Sequence, residues 1–192
     1  MFAKGMFLGR VKKSNHVFNQ QYTADSADIL SSQDAVNSLQ EKMGASTLNG
    51  VYQIALKELQ SRIANKDKIS ASEMTSIRSG MDTVLLRQTQ RLNNQMVLLT
   101  IAIAGGPFIG LFGTVMGVMI TFADVALAGN VDVNAIAPGI AAALVATAAG
   151  LLVAIPCLFG YNYLSGQIKE IVADMRVFAD ELQSKIIEQY GE

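Results

Sequence analysis

Residues 92–123 read LNNQMVLLTIAIAGGPFIGLFGTVMGVMITFA, and residues 133–168 read VNAIAPGIAAALVATAAGLLVAIPCLFGYNYLSGQI. Neither stretch contains Asp, Glu, Lys, Arg or His. Their 32 and 36 residues exceed the roughly 20 apolar residues a helix needs to cross a bilayer, with margin for tilt. The competing reading is a pair of buried core helices in a soluble protein, but such helices rarely run this far without a charge. The pattern predicts an all-α membrane protein: a long helical hairpin of two transmembrane spans that continue into a cytoplasmic helical domain.

The rest of the chain supports that reading. Of 192 residues, 51% are hydrophobic and 16% charged, against about 25% charged in an average soluble domain. This excludes a disordered chain. Three prolines and one cysteine exclude collagen-like and disulfide-stapled folds. Lys plus Arg number 15 and Asp plus Glu 16, a balance that carries no nucleic-acid signal. Twelve of those 15 basic residues lie in residues 1–91 and three in 169–192, while the connection 124–132, DVALAGNVD, has none. Basic segments stay on the cytoplasmic side, so both termini are expected inside and the short connection outside. The expected organisation is a cytoplasmic helical region 1–91, a span 92–123, a periplasmic loop 124–132, a span 133–168 and a cytoplasmic C-terminal helix 169–192. Residues 1–30 contain no apolar run of signal-peptide length.

The soluble segments carry helical periodicity. Val51, Tyr52, Ala55, Leu56, Leu59 and Ile63 form one apolar face. Ser70 and Glu73 make a capping box, with Ile69 and Met74 placed as a hydrophobic staple, so a helix is expected to start at Ala71. Ile77, Met81, Val84, Leu85 and Leu92 continue its stripe toward the first span, where Arg87 and Arg91 can snorkel. Unbroken to Ala123 this helix has 53 residues, with a bend expected at Gly105, Gly106 and Pro107. Ile168, Ile171, Val172, Met175, Ala179, Leu182 and Ile186 extend the second span's helix to the C-terminus. Residues 1–20 mix bulky apolar and basic side chains, which fits either a segment on the inner membrane surface or an ordinary capping segment. His16, the one histidine, reads as a solvated residue with no metal cluster around it, and Cys157 as a small packing residue.

Candidate functional residues lie in the spans. Gly106-x-x-x-Gly110 and Gly113-x-x-x-Gly117 let helix backbones approach closely, and Gly150 with its flanking alanines does so in the second span. Pro138 and Pro156 complete the set of expected helix-packing positions. So much small-residue surface points to a homo-oligomer. Thr114 and Thr147 are the notable polar residues of the spans. Each hydroxyl either bonds a carbonyl one turn earlier, of Gly110 and Ala143 respectively, or lines a polar pathway. No nucleophile–base set, metal cluster or phosphate loop is recognisable, so neither an enzyme nor a cofactor is expected.

GPFIGLFGTVMGVMITF, residues 106–122, and IAPGIAAALVATAAGLLVAIPCLFGYN, residues 136–162, resemble the MotA/TolQ/ExbB proton-channel family, closest to its ExbB and TolQ branch. The shared patterns are P-F-x-G-L-F-G-T-V-x-G and A-P-G-I-x-x-A-L-x-A-T-A-x-G-L-x-x-A-I-P, and the likeness is strongest over residues 71–170. The resemblance implies a pentamer in the bacterial inner membrane whose lumen encloses helices of an ExbD- or TolR-like protein. It also implies that the proton-motive force drives a TonB- or TolA-like protein, with Thr114 and Thr147 lining the lumen. A threonine hydroxyl does not titrate near neutral pH, so the titrating group must come from another chain, in the family an aspartate of the partner. Two departures stand out. Ala142 occupies the place of the branch's usual glutamate, and the chain begins roughly where the family's first transmembrane helix ends. A non-conducting scaffold for the same partners is the alternative expectation. A flagellar-type stator is less well served, because the 43 residues from Leu48 to Gln90 are modest for rotor contacts.

Overall fold

The computed structural model describes residues 2–24, 46–63, 68–129 and 132–191, and apart from short breaks and ends these are helical. The helices are α1 (Phe2–Ala24), α2 (Thr47–Ile63), α3 (Ala71–Asn93), α4 (Met96–Ala128) and α5 (Val133–Tyr190). Part of the polar break at residues 65–70 and of the connection 124–132 lies outside the described residues. The chain divides into two compact units, Met1–Asn93 with Leu164–Glu192, and Asn94–Tyr163. The long helix α5 contributes its two ends to different units.

The first unit packs α1, α2, α3 and the C-terminal part of α5 around a core of Leu8, Val11, Phe18, Val51, Tyr52, Leu56, Leu59, Ile77, Met81, Ile171, Met175 and Leu182, all buried. The expected stripes are the buried faces, with Val84, Val172 and Ile63 at their half-buried margins. Rings knit three helices together. Phe18 lies 5.8 Å from Tyr52 and 5.5 Å from Phe178, and Tyr22 lies 5.1 Å from Phe178, in edge-to-face pairs. The Ser70–Glu73 capping box forms: Glu73 Oε2 accepts from Ser70 N at 2.9 Å, and Ser70 Oγ accepts from Glu73 N at 3.4 Å. A second cap was not legible from local spacing. Buried Asn15 of α1 accepts through Oδ1 from the Thr47 and Leu48 N–H groups at the start of α2, at 2.9 and 3.5 Å. It thus satisfies orphan donors from 32 residues away. Across α3 and α5, Arg78 donates to Asp180 Oδ1 at 2.5 Å and to Gln183 Oε1 at 3.0 Å. Burial, then the Glu170 charge, raise the Asp174 carboxyl above its usual range, while Lys12 acts against them.

The expected unbroken helix from Ala71 to Ala123 is interrupted. Asn93 ends α3, and Gln95 adopts a left-handed backbone with φ 69° before α4 begins. Asn94 supplies the reason: its Oδ1 accepts from Gln95 N at 3.0 Å, a local bond that competes with the helical ladder. The predicted bend site Gly105–Gly106–Pro107 lies inside α4.

The second unit is an antiparallel hairpin of α4 and the N-terminal part of α5. Gly129, at φ 69°, ends α4 by donating to the Val125 carbonyl at 3.2 Å. Asp132 opens α5, its Oδ1 accepting from Asn134 N at 2.9 Å. Only 11% of the most apolar window of each helix is buried. Phe108, Ile109 and Leu152 are 71%, 73% and 74% exposed. Helices this long, this apolar and this exposed are suited to lipid and not to the core of a soluble protein.

Candidate functional site

The hairpin closes through glycine. A Cβ on Gly106 would lie 2.9 Å from the Gly150 carbonyl oxygen, and one on Gly110 would lie 3.0 Å from both the Ala146 carbonyl oxygen and Thr147 Cα. At Gly113 and Gly117 it would lie 2.7 Å from the Cβ of Ala146 and Ala143. Under 3.0 Å the neighbouring atoms must shift, so Gly106, Gly113 and Gly117 favour the absence of a side chain outright, and a Cβ on Gly110 would press tightly on the α5 backbone. The glycine faces predicted as packing surfaces meet the second span of the same chain. The seam covers only part of the small-residue surface on which the expected homo-oligomer rests. Pro138 and Pro156 are exposed on α5, outside these contacts, as are Ala141, Ala142, Ala148 and Ala149.

This close approach sets Thr114 and Thr147 face to face. Their hydroxyls are in direct contact. Thr114 Oγ1 lies 3.3 Å from the Gly110 carbonyl of its own helix and 3.1 Å from the Ala143 carbonyl of α5. Thr147 Oγ1 reaches the Gly110 carbonyl of α4 at 3.1 Å, in place of the expected Ala143 carbonyl of its own helix. A hydroxyl has one hydrogen. When Thr114 donates to Thr147, Thr147 donates to Gly110; when the direction reverses, Thr114 is free to donate to Ala143 or Gly110. Two arrangements of the same four groups exchange by rotating two hydrogens. The pair is half-buried, and neither hydroxyl supplies a charge.

One polar residue of the seam was not singled out by the sequence. Thr121 is buried, donates to the Gly117 carbonyl at 2.8 Å, and packs where a side chain on Gly139 would stand. The A-P-G of the second motif was the available signal, since a glycine there marks close helix contact.

A lipid-suited hairpin closed by glycine around a hydroxyl pair defines a membrane subunit of the channel or transport type. The chain belongs to the MotA/TolQ/ExbB proton channel family, whose pattern matches residues 46–177. It is similar to the Tol-Pal system protein TolQ of Haemophilus influenzae, 41% identical over 101 residues, 53% of this chain and 44% of that one. TolQ of Pseudomonas aeruginosa is 35% identical over 111 residues, 58% of this chain and 48% of its own length. The biopolymer transport protein ExbB of Neisseria gonorrhoeae is 32% identical over 191 residues, 95% of this chain and 81% of that protein. The chain thus spans about half the length of the TolQ relatives it matches and most of the ExbB relative. The family match extends beyond the 71–170 stretch in which the sequence motifs are densest.

Proposed function

We propose that this chain is the proton-channel subunit of an inner-membrane motor that energises a TonB- or TolA-like protein together with an ExbD- or TolR-like single-span partner. Several copies, a pentamer as the resemblance implies, enclose the partner's helices, with both termini of each copy in the cytoplasm. The observation that carries this reading is the Thr114–Thr147 hydroxyl pair in spans with no Asp, Glu, Lys, Arg or His. A relay across a membrane needs a carboxylate or histidine, so the partner supplies it, and the hydroxyl pair orients water or bonds that carboxylate. Each proton crossing supplies about 2.3 kcal/mol per 100 mV, so work is gathered over repeated steps. Orientation rests on the twelve basic residues before the first span. The scaffold reading draws on Ala142, which leaves that exposed position of α5 without a carboxylate. Proton flux into proteoliposomes under an imposed potential separates the two. Flux with the partner present, absent without it and abolished by replacing the partner's membrane aspartate supports the motor; an intact complex that never conducts favours the scaffold.

A further inference from the structure

We infer that Thr121 is a positioning residue for the hydroxyl pair: seated in the notch left by Gly139, it fixes the register in which α4 and α5 set Thr114 against Thr147. This rests on the proposed role of that pair and adds a residue that acts on it from two turns away. Thr121 is buried, and its hydroxyl donates to the Gly117 carbonyl at 2.8 Å. Thr114 and Thr147 share acceptors across the seam, whereas Thr121 has this one acceptor, on its own helix, among the described residues. Its hydrogen therefore lacks the alternative arrangement open to the pair. The same bond holds the side chain in one rotamer, with Oγ1 turned toward α5. A Cβ built on Gly139 would overlap Thr121 Oγ1 and lie 3.2 Å from Thr121 Cβ and Cγ2. The threonine thus occupies the volume that a side chain at residue 139 would take.

The pattern of sizes along the seam shows why this contact sets the register. At Gly106, Gly110, Gly113 and Gly117 the residue contributed by α4 is a glycine, and it meets small residues or backbone of α5. At the level nearest the connection the order reverses: α4 contributes Thr121 and α5 contributes Gly139. The glycine levels alone do not define one alignment. Sliding α5 by one turn would set Gly117 opposite Gly139 and Gly113 opposite Ala143, which are again glycines against small residues. The same slide would set Thr121 against Ala135, whose Cβ stands where Gly139 has none. One large residue in one matching notch excludes the slide that the glycines permit. The consequence for the pair is direct. One turn is about 5.4 Å, which would carry the Thr114 and Thr147 hydroxyls out of hydrogen-bond reach. Thr121 lies seven residues from Thr114, and Gly139 eight from Thr147, about 10–12 Å along each helix. Fixing the first contact therefore fixes the second.

The test places Thr114→Cys and Thr147→Cys in the full chain with Cys157→Ala, reconstituted in lipid vesicles. Formation of the intrachain disulfide under a mild oxidant is followed by mass spectrometry. Two cysteines bridge only when their Cβ atoms come within about 4.5 Å, so the rate reports the register. Thr121→Ala and Gly139→Ala, each alone, should slow bridging by about tenfold, within the range found for coupled neighbours. Thr121→Ser keeps the seated oxygen and should bridge at the parent rate. Thr121→Ala combined with Gly139→Ala moves the side-chain volume from one helix to the other and should recover the rate to within about threefold of the parent. A Gly139→Ala chain that fails to insert, while the combined variant inserts and bridges, supports the same coupling. Bridging undiminished by Thr121→Ala would overturn the proposal, and so would a combined variant as slow as the product of the two single effects. Bridging is read without proton flux. Coupled bridging in a complex that never conducts would tell against the proposed function and leave the register assignment standing; uncoupled bridging in a conducting complex would do the reverse.

Discussion

At the scale of single residues, the account rests on what one missing or added atom does. Gly113 and Gly105 make a matched pair. A Cβ at Gly113 meets Ala146 Cβ at 2.7 Å, whereas a Cβ at Gly105 meets nothing within 4 Å. Gly113→Ala should destabilise the hairpin by about 1–3 kcal/mol, while Gly105→Ala should be neutral or stabilise by up to about 1 kcal/mol. Unfolding of the two variants in mixed micelles, followed by circular dichroism, measures the difference. Tyr22 offers a test in the first unit. Its ring is enclosed by Phe18, Tyr52 and Phe178, and its hydroxyl is buried with no hydrogen-bond partner among the described residues. Burial, then Tyr52 and Glu181, push its phenol up to about 12 from an ordinary 10. The unfolded chain thus releases this proton first, near pH 10, and the folded chain only near 12. Stability should hold up to about pH 10 and fall between about 10 and 12. Tyr22→Phe should remove that contribution to the slope and cost little at neutral pH, because no hydrogen bond is lost. Urea titrations from pH 7 to 11.5 check both statements.

At the scale of elements, local rules were legible where the chemistry is local. The capping box places the start of α3 at Ala71, and the apolar stripes of α2, α3 and the end of α5 name the buried faces. Rules that depend on a distant partner were not. Asn15 caps a helix 32 residues away, and no spacing around it signals that role. Thr147 forgoes its own helix's carbonyl because Gly110, lacking a side chain, brings another within 3.1 Å. The interruption at Asn94–Gln95 was missed for a different reason. The glycines and proline further on gave the stronger breaker signal, yet an apolar helix absorbs Pro107 without ending. Gln95 holds a left-handed backbone, which costs a non-glycine residue roughly 1 kcal/mol. Gln95→Gly should therefore stabilise the chain by about 0.5–1 kcal/mol. In a continuous helix the same change would destabilise by a similar amount. The sign of the shift in unfolding midpoint decides between an interrupted and an unbroken α3–α4.

At the scale of the whole molecule, two uncharged stretches in the sequence were enough to foretell a membrane hairpin, and the motif glycines were enough to foretell close helix packing. What they pack against was not legible. Small-xxx-small spacing signals a close neighbour and does not say whether that neighbour is the same chain, and here Ala143, Ala146, Thr147 and Gly150 of the same chain meet the glycines of the first span. The assembly proposed above has the remaining exposed surface to use, which includes the small residues Ala141, Ala142, Ala148 and Ala149 and the large Phe108, Phe112 and Leu144. On the proposed function, conduction is a property of an assembly with a carboxylate from a partner and hydroxyls from this chain. The contribution of this chain is then tested most directly by the proton flux of the reconstituted complex with Thr147→Val, which keeps the side chain's shape and removes its hydroxyl. The account predicts a complex that assembles normally and conducts at least about tenfold more slowly, the cost of one lost hydrogen bond to a charged group. Undiminished flux through a fully assembled Thr147→Val complex would contradict it and leave the hydroxyl a packing group of the hairpin seam.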